Sequence, residues 1–554
     1  MTAPAATRPA RPAGRARGGS FAGTGSMLRL MLRRDRIWFP AWVLGNAAMA
    51  GYYAVALQEI LTDHAAMASM VALMASPVTA MVGGPGYGFD DPTVPRLIAG
   101  IYGLYIMLGA ALMSLLTISR HTRVEEQTGR VEALLADAVG RRAPLTAALL
   151  LVTTMQVLLS ALVGGIMIGA GFDPAPSVEA CLLFGVSIGA AGLVFAGVAA
   201  VTAQLSPFSR TCSALAGLVL GASFALRGIG DMAATHDGDL AVLSWFSPLG
   251  WSQQTAPFTL DRWWPLLFSL AATIALVSLA YVLAGRRDVG AGFLADRPGR
   301  PHAGPLLGSA LGLAWRLQLR GVIGWTVALT ALGLLYGAFT QPMIDGTQGM
   351  PEEILLVLGG TGGLADGYVG FMAVFDAIVA TVFVILAALS LRGEERSTRL
   401  EAVLATKVSR AGWVLAWASV TAVGSLLMVL GAGLGVGVGA AVGTGDADLL
   451  KAAVLGHLAQ VPAVWLVLGV AICLYGVAPR LLGLVWVLYG YACVITMFGP
   501  MMRLEQAVLD TSIYNHAGRY PAEDISWIAV GLMALVAVVL VSVGAAAFRR
   551  RDLT

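Results

Sequence analysis

The chain has 554 residues, 57% of them hydrophobic and 12% charged, with mean hydropathy +0.78, whereas a soluble domain carries about 25% charged residues. This composition excludes a chain whose main solvent is water. The net charge of +3 is too small to make nucleic acid the partner, and it hides a strong asymmetry in where the cations lie.

Residues 1–36 are rich in Ala, Pro, Gly and Arg and hold no long apolar run. They read as a disordered basic tail with the start of an interfacial helix, not as a cleavable signal peptide. Apolar runs follow near 37–57, 97–119, 144–171, 178–204, 211–228 and 265–284. Beyond a linker and interfacial helix at 291–320 they resume near 321–341, 367–391, 411–442, 450–476, 481–502 and 525–547. A helix needs about 20 apolar residues to cross a hydrocarbon core, so the expected fold is all-α and polytopic, with about twelve transmembrane helices.

With the amino terminus in the cytoplasm, all of the 35 Lys and Arg fall on the cytoplasmic side except Arg96, Arg227, Arg262, Lys451, Arg503 and Arg519. The positive-inside rule then places the protein in the cell membrane as a multi-pass chain with both termini cytoplasmic.

Several chemistries are missing from this pattern. Cys181, Cys212, Cys473 and Cys493 lie singly in apolar runs without CxxC spacing, so they read as core residues. The histidines show no metal-ligand spacing, and no HExxH or GxSxG sequence occurs. The two lysines, Lys407 and Lys451, are followed by Val and Ala, so no phosphate-binding Walker A loop exists. No catalytic, cofactor-binding or metal site is expected. Gly83–Gly88 and Gly359–Gly363 read as turns or short re-entrant caps.

Self-comparison reveals an internal repeat. Arg123–Arg141 aligns without gaps on Arg392–Arg410, and both copies follow the second apolar run of their half. Arg29, Leu30, Leu32, Arg33 and Trp38 echo Arg316, Leu317, Leu319, Arg320 and Trp325, and Arg286-Arg287-Asp288 echoes Arg550-Arg551-Asp552. Six runs per half is an even number, so the halves (37–290 and 321–554) should be parallel six-helix repeats about an axis along the membrane normal.

On a helical wheel the segment at about 121–141 gathers Val124, Val131, Leu134, Leu135 and Ala138 on one side. Glu125, Glu126, Arg130, Glu132 and Asp137 take the other. The segment at 392–410 sets Leu400, Val403, Leu404 and Val408 against Glu394, Glu395, Arg399, Glu401 and Lys407. Such segments lie at the membrane boundary. One per half is what two symmetric cytoplasmic motor subunits would require as levers. The plainer alternative is a solvated helix with internal Glu–Arg pairs, each worth a few tenths of a kcal/mol.

In these residues the chain resembles the ABC-2 family of exporter permeases, whose segment after the second span reads E-x-x-x-G-x-x-E-x-L-L-x-x-P-V-x-R, here Glu125 to Arg141. Over its whole length it is similar to the long fused permeases of that family, described as exporters of polyketide antibiotics or multidrug efflux permeases. The resemblance implies a coupling helix in each half, using Glu125, Glu126, Gly129, Arg130 and Glu132 in the first and Glu394, Glu395, Arg399 and Glu401 in the second. It further implies a separate cytoplasmic ABC ATPase subunit, two copies per chain, which holds ATP and magnesium and drives export of amphipathic or hydrophobic compounds. The family glycine is Gly129 in one copy and Thr398 in the other, and the family proline is Ala138 and Lys407. The two levers are therefore not expected to be equivalent.

Within the membrane, Asp376 is the one acid near the middle of a run, and a charge there is costly unless it faces a cavity or a partner. It is a substrate-pathway candidate, although its repeat counterpart is the apolar Met107. His457 and Gln460 could hydrogen-bond between helices or touch a small-molecule substrate. Two other readings stand beside ATP-driven export. One is a proton-coupled secondary multidrug transporter, and the other a membrane enzyme acting on lipid-linked substrates.

Overall fold

A computed structural model describes residues 19–61, 67–68, 70–71, 77–130, 139–235, 238–294, 302, 304–346, 363–499 and 504–552. The chain divides into two compact units, Met1–Arg297 and Pro298–Thr554. Among the described residues the fold is all helical. In the first unit the principal helices are Trp38–Ile60 (α1), Val94–Gln127 (α2), Ala143–Gly169 (α3), Val178–Leu205 (α4), Ser209–Ala234 (α5) and Leu266–Arg286 (α6). In the second they are Ala310–Ala338 (α7), Leu364–Arg396 (α8), Arg410–Thr444 (α9), Asp448–Val477 (α10), Leu484–Phe498 (α11) and Trp527–Arg550 (α12).

Ten of these helices are long and apolar enough to cross a membrane. The sequence pattern predicts twelve, and the other two depart for different reasons. Helix α1 has the length, 23 residues, but interleaves Asn46, Gln58 and Glu59 with its apolar residues. Helix α11 is apolar but only 15 residues long, about 22 Å at 1.5 Å per residue, short of a core of about 30 Å.

Each unit wraps its helices around its fourth. In the first unit α4 packs on α2, α3 and α6, and 78% of its most apolar stretch is buried against 11% for α6. Helix α6 turns Leu267, Leu270, Ile274 and Val282 outward, a face suited to lipid. In the second unit α10 packs on α8, α9 and α12.

The closest pairing is α7 on α9. A Cβ on Gly333 or Gly337 would collide with the carbonyl oxygens of Ala432 and Val436, and a Cβ on Gly435 or Gly439 with those of Thr330 and Leu334. Glycines four apart on both helices thus let the backbones touch, the usual means of helix association in lipid, where apolar burial gives no net drive.

The units differ at their entry. In the first, the short helix Thr24–Arg34 stops at Asp35 and α1 begins anew at Trp38. Pro40 has no N–H for the Arg36 carbonyl, and its ring crowds that turn. The matching residue in the second unit is Val327, and there the expected interfacial segment and the span form one unbroken helix, α7.

Candidate functional site

The repeated charged segments form no single helix in either unit. The second-span helix α2 runs on to Gln127, loosened by a π-turn at Arg120–Val124. Gly129 then takes φ +74 and breaks it. In the second unit α8 ends at Arg396, Thr398 takes φ +59, and a short helix Arg399–Leu404 follows. The expected apolar stripe is therefore split: Leu400 is buried, but Val408 lies beyond the short helix. Glu132, with the rest of 131–138, lies outside the described residues.

A glycine adopts the left-handed conformation freely, whereas a β-branched residue there costs about 1–3 kcal/mol. Thr398→Gly is therefore expected to stabilise the chain by about 1 kcal/mol and Gly129→Thr to destabilise it by a similar amount. Thermal unfolding in a fixed lipid nanodisc reads both. No shift in either variant would mean that the turns relax without strain.

The carboxylates point back into the chain. Glu125 is buried and accepts from Arg34, with Arg130 Nη1 at 3.4 Å. Glu126 accepts from both terminal nitrogens of Arg287, at 2.6 and 2.8 Å, and from Arg123 Nη1 at 2.9 Å. In the second unit Glu394 accepts from Arg399 Nε and Nη2 at 2.8 and 2.7 Å, and Arg551 Nη2 donates to both oxygens of Glu395 at 2.7 and 2.8 Å. Arg130, Arg399 and Glu401 face solvent. Donating to Glu394 holds the Arg399 guanidinium protonated more firmly than usual.

Deeper in the second unit, Asp376 and His457 are both fully buried and meet, with Nε2 of His457 3.2 Å from Oδ2 of Asp376. His457 Nδ1 lies 2.7 Å from the Ala453 carbonyl. A carbonyl only accepts, so Nδ1 is the donor in that contact, and Nε2 is the ring nitrogen that faces the Asp376 carboxyl. Gln460 donates to the Gly518 carbonyl at 3.1 Å, and its Oε1, like Oδ1 of Asp376, is buried without a hydrogen-bond partner among the described residues. The first unit has Met107 and Gly185 at the repeat positions of Asp376 and His457.

A second buried Asp–His contact, which the sequence pattern does not single out, exists only in the first unit. Asp35 Oδ2 lies 2.5 Å from His121 Nε2, and Arg120 Nη2 is 3.2 Å from Asp35 Oδ1. The repeat places Val322, Leu389 and Ser390 at these positions in the second unit. A cavity of about 540 Å³ opens beside them, lined by Asp35, Trp38, Trp42, Arg120 and Arg210 among others. The one available signal was an acid followed closely by Pro40 at the start of a span. Gln156 behaves as interhelical glue, donating to the Ala110 carbonyl and Ser114 Oγ at 2.9 Å.

Ten membrane-length apolar helices in two units, each carrying buried polar pairs inside its bundle, define a multi-pass membrane protein of the transporter class. Residues 25–283 and 307–549, one stretch in each unit, match the family described as "Multidrug efflux system permease Rv1217c, C-terminal domain". The chain is 39% identical over 554 residues, 98% of its own length and 98% of the relative's, to Multidrug efflux system permease protein Rv1217c of Mycobacterium tuberculosis (strain ATCC 25618 / H37Rv). The chain belongs to this family of multidrug efflux system permeases, which are transporters rather than enzymes.

Proposed function

We propose that the chain is the membrane permease of an ATP-driven ABC exporter, of the ABC-2 type, that moves amphipathic or hydrophobic drug-like compounds out of the cell. The observation that carries this reading is the duplicated charged segment at the end of α2 and of α8, held by the same kind of turn in both units. Two copies suit two cytoplasmic ATPase subunits, with ATP and magnesium held there. The distribution of arginines supports cytoplasmic termini. Arg130, Arg399 and Glu401 offer exposed charge for docking, whereas Glu125, Glu126, Glu394 and Glu395 brace the segments from behind.

A proton-coupled mechanism would rest on Asp376 and His457 in the second unit and Asp35 and His121 in the first, pairs that do not match across the repeat. The test is to co-purify the chain in nanodiscs with a candidate ATPase subunit and measure drug-stimulated ATP hydrolysis. Glu132→Arg with Glu401→Arg, at aligned positions of the repeat, is expected to abolish association and stimulation together. A chain that binds no ATPase and whose transport follows a proton gradient, lost in Asp376→Asn, would replace this reading with the proton-coupled one.

A further inference from the structure

The same three-way junction is built in both units from residues far apart in the chain. Glu126 and Arg287, separated by 161 residues, meet through two hydrogen bonds, as do Glu395 and Arg551, separated by 156. The arginine that opens the third span then closes the ring. Arg141 donates to the Arg287 carbonyl in the first unit, and Arg410 Nη1 donates to the Arg551 carbonyl at 2.6 Å in the second. Each ring therefore ties three points together: the end of α2 or α8, the start of α3 or α9, and the residue just past α6 or α12.

The ionic core is common to both rings, but its packing is not. Arg287 Nε donates to Gln204 Oε1 at 2.7 Å at the end of α4, whereas Arg551 sits over the rings of Tyr475 and Phe548, 5.4 and 5.1 Å from their centroids. An Arg–Glu pair at matching repeat positions in divergent surroundings indicates that the link itself is what both units require. The pairs are also shielded, with side-chain exposures of 9% and 13% in the first unit and 16% and 6% in the second. The two-nitrogen fork of Arg287 on Glu126 holds orientation as well as distance, whereas Arg551 reaches both Glu395 oxygens through Nη2 alone.

Helices α6 and α12 lie toward the outside of their units and pack chiefly on α4 and α10. Without the ring, a displacement of the charged segment would reach them only indirectly. We infer that Arg287 and Arg551 are positioning residues for transport: they fasten the coupling segment of each unit to its last span, so that a push on the segment swings α6 and α12. The inference rests on the coupling role proposed above, and its test separates the two.

The chain with its ATPase subunit is placed in inside-out vesicles, and both ATP hydrolysis and uptake of ethidium are followed. Arg287→Gln with Arg551→Gln is expected to keep the ATPase bound and hydrolysing while ethidium moved per ATP falls at least about tenfold. A structural staple alone would lower hydrolysis and transport in parallel, and that result, or an unchanged ratio, overturns the inference. If the glutamine variant does not fold, Arg287→Lys with Arg551→Lys keeps the charge and loses the planar array of guanidinium donors. Its ratio is expected to fall about threefold, and an unchanged ratio again overturns the inference. Failure of the wild-type chain to bind any ATPase would instead remove the coupling role on which the inference stands.

Discussion

His457→Leu is expected to cost about 3–5 kcal/mol of stability, because it strands the Asp376 carboxyl in a fully buried site. Oδ1 of Asp376 already has no hydrogen-bond partner among the described residues, so His457 supplies its one polar contact. Removing it leaves both oxygens unpaired within the helix bundle, where no water competes to repair the loss. The double variant His457→Leu with Asp376→Met is expected to recover more than half of that cost. Both polar groups are then gone, and the first unit shows that the repeat tolerates Met107 and Gly185 at these positions. Thermal unfolding of the three chains in one nanodisc composition decides the matter. A double variant as unstable as the sum of the singles would mean that the pair is not energetically coupled, and a single variant near wild type would mean that the acid finds another partner.

The helical architecture was legible because hydrophobic periodicity and length report directly on solvent. Ten expected runs reappear as membrane-length helices, some with nearly the expected ends, as with 144–171 against Ala143–Gly169, others much longer, as with 321–341 against Ala310–Ala338. Length and composition also account for the two departures. Helix α1 is diluted by polar residues whose role is tertiary, such as Asn46, buried against Gly109 of α2. Helix α11 starts only at Leu484, after the short turn Pro479–Leu481, and ends at Phe498.

The charged segments were legible as sequence but not as shape. A wheel drawn over 121–141 assumes one continuous helix, and nothing in apolar spacing reveals that Gly129 and Thr398 reverse the sign of φ. The glycine alone hinted at the break, and the threonine concealed it. The partners of Glu126 and Glu395 were on the page as the echo of Arg-Arg-Asp ends, yet an echo gives no distance. Their meeting across 161 and 156 residues depends on the packing of α6 on α4 and of α12 on α10. Asp376 and His457 were separately visible as misplaced polar residues. That they are partners follows only from the crossing of α8 and α10.

Gly337→Leu is expected to be among the most damaging single changes in the second unit, at more than about 3 kcal/mol, and to prevent recovery of folded protein in ordinary detergent. The first added carbon would enter the contact shell of the Val436 carbonyl, which is backbone and has no rotamer by which to withdraw. Relief requires α7 and α9 to separate along their length, which also opens the reciprocal contacts of Gly435 and Gly439 with Thr330 and Leu334. A loosened pair then forfeits dispersion along the crossing, and the buried hydrogen bonds of Gln318 with Trp417 and Thr421 are left as its main tie. Gly324→Leu on the same helix is the internal control: an added Cβ meets nothing within 4 Å, so the change is expected to be near neutral. Unfolding midpoints of the two variants should differ widely. Equal midpoints would show that α7 and α9 do not depend on glycine-lined contact, and that the first-span helix of this unit is held by its exposed apolar face instead.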